Sequence, residues 1–252
     1  MLKLDLHIHS KYSFDSIMGI KEILKVASKR LDGIAITDHN TLEGAIEATK
    51  LNQNPNFIVI QGSEISTEFG DLLGLFLTEE IKSREAFEVV DKIHEQGGIA
   101  VLAHPYKRRG EYPMKLMKRI DAIEGFNARI EDKNSLHRAW KLSREHHLPL
   151  IAGSDAHFPF EIGRGITIFE NLKSVEDMKK AILKGKTRMA GRLSSPYVEP
   201  LSQLVRSFKE KNPRVLAING ILKSALVTYQ IIKKKDWLCK SLSNPTIRRK
   251  EL

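Results

Sequence analysis

Asp5-Leu6-His7-Ile8-His9-Ser10 closes a short apolar opening, Met1-Leu2-Lys3-Leu4, and its reading decides the fold. Read as a strand, it puts residues 5, 7 and 9 on one face, because side chains alternate with a period of two. His7 and His9 then stand about 6–7 Å apart along the strand at roughly 3.3 Å per residue, close enough to share a transition metal. A strand with two polar residues facing solvent would look the same in isolation. Four further polar clusters decide between them, each closing an apolar run. Asp38-His39-Asn40 follows Gly33–Thr37, and Gly62-Ser63-Glu64 follows Phe57–Ile60. His104-Pro105 follows Ile99–Ala103, and Gly153-Ser154-Asp155-Ala156-His157 follows Leu148–Ala152.

The runs between these clusters have helical spacing, as in Ile20, Ile23, Leu24, Ala27 and Leu31. Helices are expected near 42–51, 83–96, 114–119, 131–146 and 175–183, and strands also at 72–77, 122–126 and 166–169. Near-continuous apolar strands alternating with helices describe parallel strands buried on both faces. About seven such strands over some 185 residues suit a small barrel, with the polar clusters gathered at the C-terminal strand ends. Neither a Gly-x-Gly-x-x-Gly after the first strand nor a GK[ST] phosphate loop is present. Beyond Gly191 the texture changes, and helices are expected over 201–209 and 215–235. The division expected is a barrel over 1–189 and a basic helical appendage over 190–252.

The net charge of +10 is unevenly spread. Residues 190–252 hold 13 of the 41 Lys and Arg but 4 of the 31 Asp and Glu, which is +9 of the total. Such a segment suits nucleic acid or an acidic partner, or simply a solvated helix. The single cysteine, Cys239, excludes an intrachain disulfide framework and a cysteine-rich zinc site, and fits a reducing cytoplasm. No signal-like or membrane-spanning apolar stretch occurs, so a cytoplasmic protein without a membrane partner is expected.

The strand-end polar residues are His7, His9, Asp15, Asp38, His39, Glu64, His104, Asp155 and His157, and they include five of the nine histidines. Mixed imidazole and carboxylate without thiolate suits Zn, Mn or Fe rather than a Ca or Mg cage. The donors are too many for one tetrahedral ion; two or three divalent ions would use them without stranding buried charge. Glu64, alone at its strand end, is the expected bridge between ions.

The blocks Asp5–Ser10, Thr37-Asp38-His39, Gly62-Ser63-Glu64, Ala103-His104-Pro105 and Gly153–His157, in this order over residues 1–190, resemble the PHP (polymerase and histidinol phosphatase) superfamily. The resemblance implies a distorted (β/α)7 TIM-like barrel and a metal-dependent phosphoesterase with up to three ions. It implies His7, His9, Glu64 and Asp155 around one ion, Glu64 and His104 at a second, and Asp15, His39 and His157 at a third. Catalysis would run through Glu64, His104 and Asp155 by way of the metals. Asn127 is a candidate for the second ion or for substrate. Asp38 is expected to accept a hydrogen bond from a ligand imidazole. The tail resembles the short C-terminal extension of some members.

Paired ions would activate water and neutralise a phosphoryl group, so no side-chain nucleophile is required. Lys107, Arg108, Arg129 and Arg164 are the candidates to grip phosphate. Three functions remain open. The first is a phosphoesterase on a nucleotide or other small phosphorylated metabolite. The second is an exonuclease working from a 5′ end of RNA or DNA, with the basic tail on the polymer. The third is a non-catalytic barrel in a larger assembly.

Overall fold

A computed structural model describes residues 1–107, 111–130, 133–170, 172 and 174–211. In chain order its elements are β1 (Leu2–Ile8), α1 (Ile20–Ala27), β2 (Gly33–Ile36), α2 (Glu43–Leu51), β3 (Ile58–Thr67), β4 (Gly70–Leu75), α3 (Ala86–Glu95), β5 (Ile99–Leu102), α4 (Met114–Met117), β6 (Ala122–Asn127), α5 (Lys133–His146), β7 (Leu150–Gly153), β8 (Gly165–Phe169), α6 (Val175–Leu183), β9 (Thr187–Gly191) and α7 (Val198–Lys209). The expected helix at 215–235, Arg108 and Cys239 lie outside the described residues.

The strands form one sheet in the order β7-β6-β5-β4-β3-β2-β1-β8-β9. The sheet curls back so that β7 meets β1 and β8: Ile8 bridges Ala156, and the His9 N–H donates to the Ala156 carbonyl at 2.9 Å. The Thr167 hydroxyl of β8 bonds both the N–H and the carbonyl of Ala152 in β7, each at 2.9 Å. The result is a nearly closed, distorted α/β barrel, as expected. β2 and β5 are buried along their whole length, which is why they read as unbroken apolar runs.

The sheet is less parallel than the alternation implied. β1–β2–β3 and β5–β6–β7 are parallel, but β4 runs antiparallel to both β3 and β5, and β8 antiparallel to β1 and β9. β3 and β4 are joined by a hairpin between Thr67 and Gly70, too short for a crossover helix, so the pairing must be antiparallel. One expectation is corrected here. Glu64 is not at a strand end but inside β3, just past the switch from pairing with β2 to pairing with β4.

Local signals place the helices. Glu85 caps α3 by accepting from the Phe87 and Glu88 N–H groups, and Gly97 stops it with φ +65°. Ser174 caps α6. The 189/190 boundary falls within β9, and α7 packs on the barrel: the Arg129 guanidinium donates to Ser202, and the Lys209 ammonium to the loop after β1.

Candidate metal centre

The centre grows from β1. His7 Nδ1 lies 3.0 Å from Glu124 Oε1, a carboxylate that can only accept, so Nδ1 carries the proton and the Nε2 lone pair faces inward. Ser13 does the same for His9. Its hydroxyl gives its proton to Asp38 at 2.7 Å and therefore accepts from His9 Nδ1 at 2.9 Å. His157 Nδ1 donates to the Asp155 carbonyl at 2.8 Å, which again leaves Nε2 free. Three imidazoles thus present the same nitrogen to one space, with His7 and His9 Nε2 only 3.1 Å apart.

Three carboxylates meet them. Glu64 Oε2 lies 3.4 Å from His7, 3.2 Å from His9 and 3.0 Å from His39, while its Oε1 is 2.7 Å from His104. Asp155 Oδ1 is 3.6 Å from His7 Nε2 and 3.3 Å from His9 Nε2. Asp15 Oδ2 stands 3.1 Å from His157 and 3.5 Å from His39. The donors sort into three overlapping groups: His7, His9 and Asp155; His7, Glu64 and His104; and His9, Asp15, His39 and His157. Eight of the nine residues singled out from the sequence therefore converge, and Asp38 stands one step back.

The backbone is bent to make this possible. His104 (φ +24°) and Asp155 (φ +55°) occupy left-handed conformations that side-chain-bearing residues rarely adopt, at a cost of about 1–3 kcal/mol each. Gly153 lets β7 pass against His7, where a Cβ would overlap the histidine's own.

Residues 133–187, from α5 to the start of β9, match the PHP-associated family, so this match lies within the barrel and ends before residue 190. An uncharacterized protein of Methanocaldococcus jannaschii, MJ1587, is 42% identical over 147 residues, covering 52% of this chain and 85% of its own. A second from that organism, MJ0417, is 33% identical over 181 residues, covering 68% of this chain and 72% of its own. In structure, the chain resembles a two-domain protein from Bacteroides vulgatus described as containing a predicted PHP-like metal-dependent phosphoesterase. The TM-score is 0.64 at 19% identity, over 76% of this chain and 65% of that one. The chain belongs to the PHP superfamily.

A PHP protein is expected to carry metal ions, and three buried atoms test whether this chain fits them. Among the described residues, Asp15 Oδ1, His39 Nδ1 and Glu64 Oε2 are buried with no hydrogen-bond partner. A carboxylate taken into a protein interior costs roughly several kcal/mol in desolvation unless a cation meets it. The field agrees. Burial works against a charge on His39, yet Glu64 and Asp15 outweigh it and push the imidazole up to about 10. His7 also goes up against burial, through Glu124, Asp155 and Glu64. Burial would raise Glu64 and Asp155, but His39 and His7 hold Glu64 well below the carboxylate range, and Lys107 and His7 do so for Asp155. The cluster draws positive charge, and the donor set suits divalent ions.

The remaining expectations fare unequally. Asp38 is corrected: among the described residues it accepts from no imidazole but from the Ser10 N–H, Ser10 Oγ and Ser13 Oγ, and it reaches His9 through Ser13. Asn127 is engaged at both ends, its amide nitrogen donating to Glu124 and Asp155 and its oxygen accepting from the Arg129 N–H. Lys107 does enter the PHP centre, 2.9 Å from Asp155 Oδ2. Arg129 lines the same cleft, held bidentate by buried Glu161. Arg164 is corrected: its guanidinium donates to the Phe160 and Leu193 carbonyls and does not line the cleft.

Four acids escaped the sequence reading. Glu124 orients His7, Glu161 holds Arg129, and Glu199 of α7 lines the cleft beside Lys107 and Arg129. Asp5 accepts from the His7, Ser154 and Gly163 N–H groups, and burial still pushes its carboxyl up to about 7. Glu124 had a visible signal, an acid inside the apolar run Ala122–Phe126.

Proposed function

We propose that this PHP protein is a hydrolase cleaving phosphate esters on a small phosphorylated metabolite, a nucleotide among them. The observation that carries it is the trio of buried, unpartnered ligand atoms in a cage of five imidazoles and three carboxylates. Bound divalent ions, Zn, Mn or Fe, supply Lewis acidity and bring the pKa of water toward neutrality.

The chain's own residues do the rest. His7, His9, Glu64 and Asp155 would hold one ion, Glu64 and His104 a second, and Asp15, His39 and His157 a third. Glu124, Ser13 and the Asp155 carbonyl keep three imidazoles in the tautomer that ligation needs. Lys107 brings a flexible ammonium to the cleft wall, where a phosphoryl oxygen can take it up. Arg129 adds fixed positive charge, since Glu161 takes two of its N–H groups and Ser202 another.

An acidic group also faces the cleft: Glu199 stands near Lys107 and Arg129. That favours a small substrate with a neutral or cationic leaving part over a polyanion. The basic residues on which an exonuclease reading relies fall mostly at 212–252, with nine Lys and Arg against two Asp and Glu, outside the described residues. Among the described residues no helix is long and apolar enough to cross a membrane.

The test is direct. Protein stripped by a chelator should lose hydrolysis of a phosphomonoester panel and regain it with Mn²⁺ or Zn²⁺. A silent panel with fully loaded protein overturns the reading.

A further inference from the structure

Helix α7 reaches the centre from outside the barrel. In its last turn the Lys209 ammonium donates to three carbonyls of the loop between β1 and α1: Lys11 at 2.8 Å, Ser13 at 2.7 Å and Ser16 at 2.6 Å. An ammonium has three donors, and all three are spent on one stretch of six residues. Three residues earlier, Arg206 lies over the Phe14 ring, 4.6 Å from its centroid. Phe14 in turn stacks on the His39 imidazole at 4.6 Å and 9°.

The tied loop carries Asp15. Among the described residues Asp15 Oδ1 has no hydrogen-bond partner, and Oδ2 faces the imidazoles of His157 and His39. The carboxylate is therefore aimed by the path of its backbone. The same loop anchors its neighbours, because the Ser16 hydroxyl donates to the carbonyls of both His9 and His157. Lys209 holds that path from 193 to 198 residues away in the chain.

We infer that Lys209 is a positioning residue for the outermost ion, the one to be held by Asp15, His39 and His157, so that the centre is completed by α7 and not by the barrel alone. This rests on the metal-dependent reading above and adds to it a dependence of one ion on one distant helix. Of the inner ligands, His7, Glu64, His104 and Asp155 lie off that loop, and His9 meets it through Ser13 and Ser16.

The experiment uses the full chain with Mn²⁺ as the probe, and Zn²⁺ uptake by the wild type as a control. Chelator-stripped wild type, Lys209→Met, Lys209→Arg and Asp15→Asn are titrated calorimetrically, with free Mn²⁺ counted by electron paramagnetic resonance. In K209M the weakest-held Mn²⁺ should lose about 10–100-fold in affinity, the scale for removing a group that orients a ligand, with the tighter ions weakened far less. K209R, which keeps charge and donors, should recover part of that loss. D15N should lose the same ion, and adding K209M to D15N should change nothing further. Equal weakening of every ion would mark Lys209 as merely structural, and an unchanged titration would remove its role. Either result overturns the inference and leaves the phosphoesterase reading standing. Wild-type protein that takes up no Mn²⁺ and no Zn²⁺ would overturn both.

Discussion

The two sides of the candidate metal centre are built differently. The inner side stands on the sheet: His7 lies in β1, Glu64 in β3, and His104 and Asp155 two residues past β5 and β7, with side chains at most 7% exposed. Neighbouring strands brace them, Glu124 and Asn127 of β6 holding His7 and Asp155. The outer side stands on loops. The Asp15 and His39 side chains are 9% and 10% exposed, and their braces are Ser13, Phe14 and two cationic residues of α7. A sheet fixes side chains through the same pairing that stabilises the barrel, so inner ligands come pre-oriented. Loop ligands need support from added contacts, and those contacts can be removed without dismantling the core. Ion affinities on the two sides should therefore be separable by mutation.

The largest effect should come from the residue that breaks this distinction. Glu64 touches both sides, with Oε1 on His104 and Oε2 against His7, His9 and His39. Glu64→Gln keeps the volume but removes the shared charge and turns an amide toward the imidazoles. Metal analysis should show ions lost from both sides. Turnover should fall by at least about 10²–10³-fold, the scale for losing one group that stabilises a transition state. Loss confined to one side would show that Glu64 is no bridge.

Glu124→Gln sharpens the comparison from within. The amide can donate to His7 Nδ1 and so favour the tautomer whose proton sits on Nε2, which cannot ligate. Inner-ion affinity should drop roughly 10–100-fold while the outer ion stays. A parallel Mn²⁺ titration of E124Q and K209M would then give mirror-image losses. Identical profiles would refute two separable sides.

The same division governs what could be read from the chain. His7, His9, His104, Asp155 and His157 were legible because each closes a short apolar strand, and burial leaves a polar side chain there little to do but ligate. The antiparallel members were harder. β9, Thr187–Gly191, has one buried residue in five and offers no alternation to notice. Glu64 read as a strand end because its strand changes partner midway, which no local pattern reveals. Glu124 and Asp5 were in plain view but had no assignable partner until β6 met β1 and the loop before β8 met β1. The contribution of α7 was illegible for a simpler reason: its contacts join residues nearly 200 apart, and the basic character of its surroundings pointed to an external partner.

That last point changes how the tail should be cut, and the smallest expected effect follows from it. Removing residues 191–252 would take away Glu199, Ser202, Arg206 and Lys209 together, so lost activity could come from the metal centre as easily as from a polymer-binding surface. Removing only 212–252 keeps α7 and deletes nine of the basic residues. For a small-molecule phosphoesterase, the shorter deletion should leave Mn²⁺ stoichiometry and the monoester rate unchanged. An exonuclease would instead keep its ions but lose oligonucleotide affinity, and the dependence of log K on log salt would flatten by about 0.7 per single-strand phosphate contact removed. The two outcomes differ in which measurement moves, and neither can be mistaken for damage to the outer ion site.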